Sequence, residues 1–489
     1  MSKGSVIDMV HAYFPSHLRS RREAQVMGSW MRGLQYEASE TLDIDETDRA
    51  YGRAFSPDRR PKREYENLRA LSPNSFAGLM VRSMSQLAMI EGISRPGVSG
   101  TLPIWDTFRR NRWISRQTAI HEAALGQSVA YGVVIPGEDP LTGTKMARML
   151  GKSPERMSAY YDEIDDEWPG LAIEAVKTYD VDESTGVRFW SGWAVTAWVD
   201  YVGHRLSCKG NGENLSDWTY IDHFEHSIPV TPVARCANWM DLDGNATSII
   251  EPVLPILRRL DQDTFDRLIN QRFGAWQVRY IAGMAKPKAG SVEEEKIRLR
   301  VEDILVSENP ETKFGTLPGG GIDPQIGATD HDLRLLSAIS QLPPHHLLGL
   351  SSNLQAEALA AATEGMQRQS FNFRTGASEF HEQMARLASI VNGDPETAAA
   401  WDLRIRWRDN DSGSLNQAAD ALGKFATMLG VPVTMLWERI PGWTDDDVQR
   451  AKELVQDGAI EKLLQELLNS TPTTSTSDQG ATGGSSNAQ

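Results

Sequence analysis

The sequence predicts an α+β chain that is mainly helical, with a compact β-rich region near its middle and one very long helix beyond it. Three observations carry this. From Leu342 to Gly393 a narrow apolar stripe (Leu359, Ala362, Met366, Phe373, Ala377, Phe380, Met384, Leu387, Val391) recurs at spacings of three, four or seven on an otherwise polar rod. Between Leu171 and Val233 the pattern changes to aromatic alternation, dense in Trp190, Trp193, Val195, Trp198 and Tyr201 and resumed from Trp218 to Phe224. Prolines and glycines gather at the breaks between these stretches, where they punctuate helices and strands.

Residues 1–66 mix Arg19, Arg21, Arg22, Arg59 and Arg60 with an acidic run from Glu40 to Asp48, and read as a solvated arm or a contact arm for a neighbouring copy. From Asn67 the pattern is helical through Phe76, Leu79, Met80, Met84, Leu87 and Met89. A second helix is predicted from Ile104 through Ala124, closed by Gly126, and Ser128 to Ile135 reads as a buried strand. A further helix is predicted from Ser248, with Pro252 and Pro255 confined to its first turn and Ile250, Val253, Leu257, Leu260, Leu268 and Phe273 on its apolar side. Residues 283–325 interrupt that pattern, and Asp332 to Leu342 restores a short helix.

The double proline Pro343-Pro344 reads as a break followed by a loop from His345, and Ser352 with Gln355 reads as a capping box that opens the long helix. At ~1.5 Å per residue this helix is roughly 58 Å long, and Gly365 and Gly376 are where it can bend. Trp401 to Arg408 alternates as a half-buried strand, and Leu415 to Leu429 and Asp445 to Leu468 are amphipathic helices. Residues 470–489 hold Ser, Thr, Gly and Gln without large apolar side chains and are predicted to be a disordered tail.

Charge and motif content narrow the chemistry. A formal charge of -16 argues against an extended basic face that grips nucleic acid, though not against a passage through which DNA slides. No apolar run is long enough to predict a membrane span, and the first residues lack the apolar core of a signal peptide, so a cytoplasmic origin is expected. Cys208 and Cys236 are too few for a disulfide framework and lack zinc-site spacing. Gly137 to Lys145 resembles a phosphate loop only loosely, because its glycines are wrongly spaced and its Lys follows Thr instead of preceding it. Asp241 to Asn245 begins like a calcium loop, but Ala246 stands where Gly is required and Pro252 where the bidentate Glu belongs. His345-His346 has no carboxylate or Cys at helical spacing to complete a metal site. No catalytic constellation, metal or cofactor is therefore expected.

The order of parts resembles the portal proteins of tailed bacteriophages: a helical rod, an inserted module, a second rod, a loop and a very long helix. Asn74 to Gly92 resembles that family's first wing helix, and Trp105 to Val134 its helix followed by a Gly-x-Ala-Tyr-type strand. Pro229 to Val233 with Ser248-Ile249-Ile250 resembles the approach to the stem. Gly349 to Ala362 is similar to the start of the tunnel helix, with Leu354 where relatives often carry Pro. Ile405 to Asp409 with Ala418 to Lys424 resembles the approach to the crown.

The resemblance implies a portal fold divided into an N-terminal arm (1–66), an α+β wing (67–246), stem helix 1 (247–282), a clip (283–325) and stem helix 2 (326–342). A tunnel loop (343–353), the long tunnel helix (354–400), a wing strand and crown (401–469) and the tail (470–489) complete it. It also implies a ring, usually of twelve copies, at one capsid vertex of the virion, through which double-stranded DNA passes without sequence preference. Expected partners are further copies of the chain, the terminase motor, head-completion (adaptor) proteins, and major capsid and scaffolding proteins. The expected DNA-facing residues are His346, Leu347, Leu348, Gly349, Leu350, Ser351, Ser352 and Asn353, an uncharged stretch suited to brushing a phosphate backbone. Lys286, Lys288, Lys296, Arg298 and Lys313 are the expected motor-docking residues of the clip. The alternative is a head-tail adaptor or scaffold protein of a virion, which would lack the clip insertion.

Overall fold

A computed structural model describes residues 2–35, 67–98, 100–139, 141–182, 187–274, 279–282, 313–316, 322–348, 356–408, 415–440, 443 and 445–456. The chain divides into two compact units, residues 1–96 with 103–408, and residues 97–102 with 409–489. The mixture of helices and antiparallel sheets is of the α+β class that the sequence predicts. The predicted C-terminal tail and residues 36–66 lie outside the described residues.

The β-rich region of the first unit is a five-stranded antiparallel sheet of β4 (Met157–Tyr160), β5 (Leu171–Val181), β6 (Arg188–Trp198), β7 (Val202–Lys209) and β8 (Trp218–Glu225), in that order. Alternation gives each strand two faces, and both are covered. On one face Trp193, Val195, Leu206 and Trp218 pack against Val6, Val10 and Phe14. These last three belong to α1 (Lys3–Arg32), capped by Ser2, whose side chain accepts from Ser5 N, and by left-handed Gly33. The solvated-arm reading is thus corrected for residues 3–32. Their apolar residues stand four apart at Val6, Val10 and Phe14, and burying each contributes about 2 kcal/mol.

The opposite face meets a second sheet, ordered β3 (Lys145–Lys152), β2 (Val129–Glu138), β9 (Val233–Ala237), through Tyr131, Val133, Trp198 and Val233. The aromatic residues of the middle region are core and sheet-face residues. Gly137 to Lys145 turns out to be the tip of the β2–β3 hairpin, with Glu138 opposite Lys145, and not the strand-to-helix turn of a phosphate loop. A short ladder of β10 (Trp239–Met240) and β11 (Ala246–Thr247) follows, its turn held by Asp241 accepting from Asp243 N and Asn245 N.

The helical layer beside β2 begins with α2 (Phe76–Leu87), ending earlier than predicted because Ile90–Ser94 forms β1. The single helix predicted from Ile104 is two, α3 (Ile104–Arg110) and α4 (Trp113–Gln127), separated where Arg112 adopts a left-handed φ of 56°. The long helix is α8 (Ala356–Asn392), of 37 residues, closed by Gly393. Its stripe is covered by its own chain from Met366 onward: Phe373, Ala377, Phe380, Met384 and Leu387 are buried, and α8 lies on β2, β3 and β9. Contact is close enough that a Cβ at Gly132 of β2 would stand 2.5 Å from Met384 Sδ and 2.8 Å from Phe380 Cε2. Beyond α8, the predicted strand appears as β14 (Arg404–Trp407), paired antiparallel with β1 across more than three hundred residues of sequence.

Where α4 meets α8 the core holds a closed polar chain. Trp113 Nε1 donates to His381 Nδ1 at 3.3 Å, His381 Nε2 and His121 Nε2 are 2.9 Å apart, and His121 Nδ1 is 2.8 Å from Ala88 O. One tautomer set satisfies every atom: His121 carries its proton on Nδ1 and donates to Ala88 O, and His381 carries its proton on Nε2 and donates to His121. Both rings are fully buried, and that burial depresses their pKa values, His121 to about 4 and His381 well below the usual value with the neighbouring His121 adding to the effect.

The second unit contains α10 (Leu415–Met428), α11 (Val433–Leu436) and α12 (Asp445–Gln456), the described parts of the two predicted amphipathic helices and their connection. Leu436 and Val448 are buried, while Met428 and Met435 are largely exposed.

Candidate functional site

The elements expected to form a channel start at Ser248, which is buried against the end of α4. Its hydroxyl is 2.8 Å from Gly126 O and Ile249 N donates to Leu125 O at 3.0 Å, so carbonyls that the helix end leaves without partners are satisfied by the incoming chain. The helix predicted from Ser248 begins later, as a 3-10 turn at Glu251–Val253 leading into α5 (Leu254–Gly274). Pro252 occupies that turn and Pro255 the first turn of α5, where a missing N–H removes no intrahelical bond.

Asp261 ties α5 to the wing. It is buried, its Oδ2 accepting from Gln35 Nε2 at 2.7 Å and its Oδ1 from Asn74 N at 2.9 Å and Asn74 Nδ2 at 2.6 Å. One carboxylate thereby joins the end of the α1 segment, the residues before α2 and the rod. Alongside α5 runs α6 (Asp323–Ser340), starting earlier than the predicted short helix, with Leu333 and Leu336 buried and Ile339 half exposed. Arg259 Nη2 reaches Asp332 Oδ1 at 3.0 Å between the two helices. Asp263 beside them has its carboxyl pKa raised, chiefly by burial and then by Asp332 and Asp266.

After α6 the chain turns through Gln341 in the left-handed region, and Ser337 Oγ donates to Leu342 O at 2.6 Å. The loop predicted from His345 is helical at its start: α7 (Pro344–Leu348) uses Pro344 as its first residue, where the ring's fixed φ suits a helix. Of the expected DNA-facing residues, His346 is exposed on α7 and Leu347 is buried. Leu348 closes α7, and Gly349, Leu350, Ser351, Ser352 and Asn353 lie outside the described residues, as does the proposed cap of α8. His345 and His346 stand edge to face at 4.6 Å, and no cluster able to hold a metal occurs among the described residues.

The insertion between the rods closes on itself. β12 (Arg279–Ala282) and β13 (Lys313–Thr316) pair antiparallel, Arg279 opposite Thr316 and Ala282 opposite Lys313. Lys313 is therefore on the ladder, whereas Lys286, Lys288, Lys296 and Arg298 lie outside the described residues. Sequence reasoning placed the interruption but missed the ladder, whose one local signal is the β-forming pair Tyr280-Ile281. No local pattern marks Asp261, since its partners Gln35 and Asn74 are remote in sequence.

Among the described residues no helix is long and apolar enough to cross a membrane. No curated protein matches the chain. Solved structures align along most of it at low identity. The virion of a native gene transfer agent particle is 12% identical, covering 79% of this chain and 99% of that one with a TM-score of 0.43. The neck of an empty gene transfer agent particle computed with C6 symmetry is 12% identical over 78% and 98%, at 0.45. The native neck computed with C12 symmetry is 13% identical over 79% and 99%, at 0.42. The family described as "Phage portal protein, SPP1 Gp6-like" matches residues 20–461, a span that includes the paired rods, the insertion, the long helix and the sheets that support it. The chain belongs to the SPP1 Gp6-like family of phage portal proteins.

Proposed function

We propose that about a dozen copies of this chain close into a ring at one capsid vertex and form the channel through which a double-stranded genome is packaged and later ejected. In this reading residues 67–246 are the wing, α5 and α6 the stem, residues 283–325 the clip that docks the terminase and then the head-completion proteins, and residues 343–353 the loop that narrows the channel. The observation that carries it is the pair of adjacent helices bracketing an insertion whose ends are clamped by β12–β13, in a chain of the portal family. Phe371 of α8 is 70% exposed and Met428 of α10 is 78% exposed, apolar surface that suits contacts with neighbouring copies. The net charge of -16 suits a channel that does not hold its passenger. The family is one of structural proteins, and the chain is read as a non-enzyme of the virion.

Native mass spectrometry with negative-stain class averages tests the reading. A closed ring of about twelve subunits with a central hole is expected, and a compact monomer at all concentrations overturns it. Removing residues 286–310, which spares β13, is expected to leave rings intact and stop packaging.

A further inference from the structure

The five-stranded sheet carries opposite charge at its two ends. At one end, where β5, β6 and the turn after β7 meet α1, lies a groove of about 670 Å³. Arg21, Arg22 and Lys177 line it, opposed by the single carboxylate of Glu213, in a chain whose formal charge is -16. Arg19, which also lines it, is paired with Glu23 at 3.2 Å. The floor is aromatic: the Arg21 guanidinium is 4.4 Å from the Trp193 ring centre and Lys177 Nζ is 5.6 Å from that of Trp190, contacts that hold positive charge beside apolar surface. Trp193 is 3% exposed and its Nε1 has no acceptor among the described residues, so the lining is rich in donors and short of acceptors. A ligand that fits it carries carboxylates and some apolar surface.

The opposite end of the same sheet presents that chemistry. The connection from β4 to β5 contains the acidic run Asp162 to Glu167, its turn fixed by Glu163 N donating to Asp166 Oδ2 at 2.8 Å and Asp166 N donating to Glu163 O at 3.3 Å. Glu163 and Asp165 are exposed, and Ile164 between them is 54% exposed. The β10–β11 turn lies against it, close enough that a Cβ at Gly244 would stand 3.7 Å from Ile164 Cγ2, and adds Asp243 and Leu242, which is 96% exposed. Together the two turns make an acidic knob that carries two apolar side chains. The cations beside it are engaged, Arg386 with Glu167 and Arg235 over the Tyr161 ring at 4.3 Å. Leu171 and Lys177 stand six strand positions apart on β5, roughly 20 Å at ~3.3 Å per residue, so a knob cannot enter the groove of its own copy.

We propose, on the reading of this chain as a ring subunit, that the groove of each copy receives the acidic knob of its neighbour. Glu163 and Asp165 pair with Arg22 and Lys177, while Ile164 and Leu242 cover the Trp190 side of the floor. Joining opposite ends of one sheet is a heterologous contact, the kind that repeats around a closed ring. Complementary charge also sets its direction, because a head-to-head arrangement would bring groove against groove. Both surfaces are formed before they meet, so little ordering cost opposes the contact.

The test uses full-length protein and charge reversal, with assembly followed by native mass spectrometry. A groove variant, Arg22→Glu with Lys177→Glu, and a knob variant, Glu163→Lys with Asp165→Lys, are each expected to require a concentration about tenfold higher than the unaltered chain to assemble. Mixed in equal amounts the two are expected to recover assembly, because in alternation every groove meets a knob of opposite charge; two misfolded variants would not rescue one another. In particles assembled from unlabelled and nitrogen-15-labelled unaltered copies, zero-length carbodiimide coupling is expected to join Lys177 to Glu163 or Asp165 across copies. Unaltered rings that lack this coupling, with both variants assembling normally, overturn the contact and leave the ring reading standing. An unaltered chain that stays monomeric at all concentrations overturns the ring reading and the contact with it. Failure of the mixed variants to recover assembly overturns the contact, as does protection of Lys177 by a duplex oligonucleotide without coupling between copies, which assigns the groove to phosphates.

Discussion

His121 Nε2 and His381 Nε2 lie 2.9 Å apart in the core between α4 and α8, and the bond between them requires that both rings be neutral. A proton added to either ring would place a donor against a donor or a charge in an apolar site.

This pair predicts the acid response. His121 has its pKa lowered to about 4 by burial, His381 is depressed in the same direction, and His17 is lowered to about 4 by burial and the nearby Arg21. In the unfolded chain these groups bind protons near pH 6.5, so between ~6.5 and ~4 the unfolded state holds more protons and stability falls as pH falls. Above that window the contribution is complete. Glu382, whose carboxyl is raised to about 7 by burial and then by Glu379, acts in the opposite sense, so urea unfolding at about pH 7.5 and about pH 5 should show a smaller net loss of about 2–3 kcal/mol in the wild type. His381→Gln should reduce that loss, and an unchanged loss in this variant would contradict the burial of the His381 ring in its neutral form.

Two glycines at close approaches predict graded effects. A Cβ at Gly192 would lie 2.0 Å from Cys208 O, a backbone atom of the paired strand β7, so Gly192→Ala must open the β6–β7 ladder and is expected to cost about 2–4 kcal/mol. At Gly132 the obstruction is the side chains of Met384 and Phe380, and the flexible thioether can give way. Gly132→Ala should cost about 1–2 kcal/mol, part of it recovered in combination with Met384→Ala. Thermal unfolding of the three variants checks the order.

Asp261→Ala leaves three donors, Gln35 Nε2, Asn74 N and Asn74 Nδ2, without their acceptor and is expected to cost about 3 kcal/mol. Asp261→Asn should cost about 1 kcal/mol. Its Oδ1 still accepts from Asn74, and the Gln35 amide can flip to present Oε1, which makes no hydrogen bond now, to the new amide. Chemical denaturation of both variants measures the difference, and equal costs would show that charge rather than hydrogen-bond geometry holds the joint.

If residues 343–353 narrow a channel as proposed, substitutions in α7 should separate core positions from channel-facing ones. Leu347 is 8% exposed, so Leu347→Lys should destabilise the subunit by several kcal/mol and reduce soluble yield. His346→Lys on the exposed side of α7, and Leu348→Lys with Ser351→Lys beyond it, should leave assembly intact and slow DNA translocation in a packaging assay. Assembled particles that package at the normal rate with all three lysines would remove this loop from the channel.

What was legible in the sequence follows the range of the forces involved. The long helix was legible because no proline interrupts it and its stripe repeats from Leu359 to Val391, and the central sheet because Trp190, Trp193, Val195 and Trp198 crowd β-forming residues into one short stretch. The helix α1 was not legible because its apolar stripe of Val6, Val10 and Phe14 is short and is followed by the charged run Arg19 to Glu23. The Asn111-Arg112 break was missed because neither residue is Gly or Pro, and α7 because a double proline reads as a stop even when its second residue starts a helix. The pairing of β1 with β14 and the partners of Asp261 depend on contacts remote in sequence, which no local pattern records. For the candidate site, the order of the rods and the place of the insertion were legible, while the ladder at its base and the anchoring of Ser248 were not.

The ladder of β12 and β13 also separates the two rods from whatever length of chain lies beyond them. Because Ala282 and Lys313 are fixed opposite one another, the rods feel only the spacing of those two backbones. Lengthening or replacing residues 283–312 changes a loop-closure entropy that grows only logarithmically, by about 0.6 kcal/mol per doubling. The insertion is thus an exchangeable cassette: a segment of different length or sequence is expected to be accommodated between Ala282 and Lys313 without redesigning the helices that carry it.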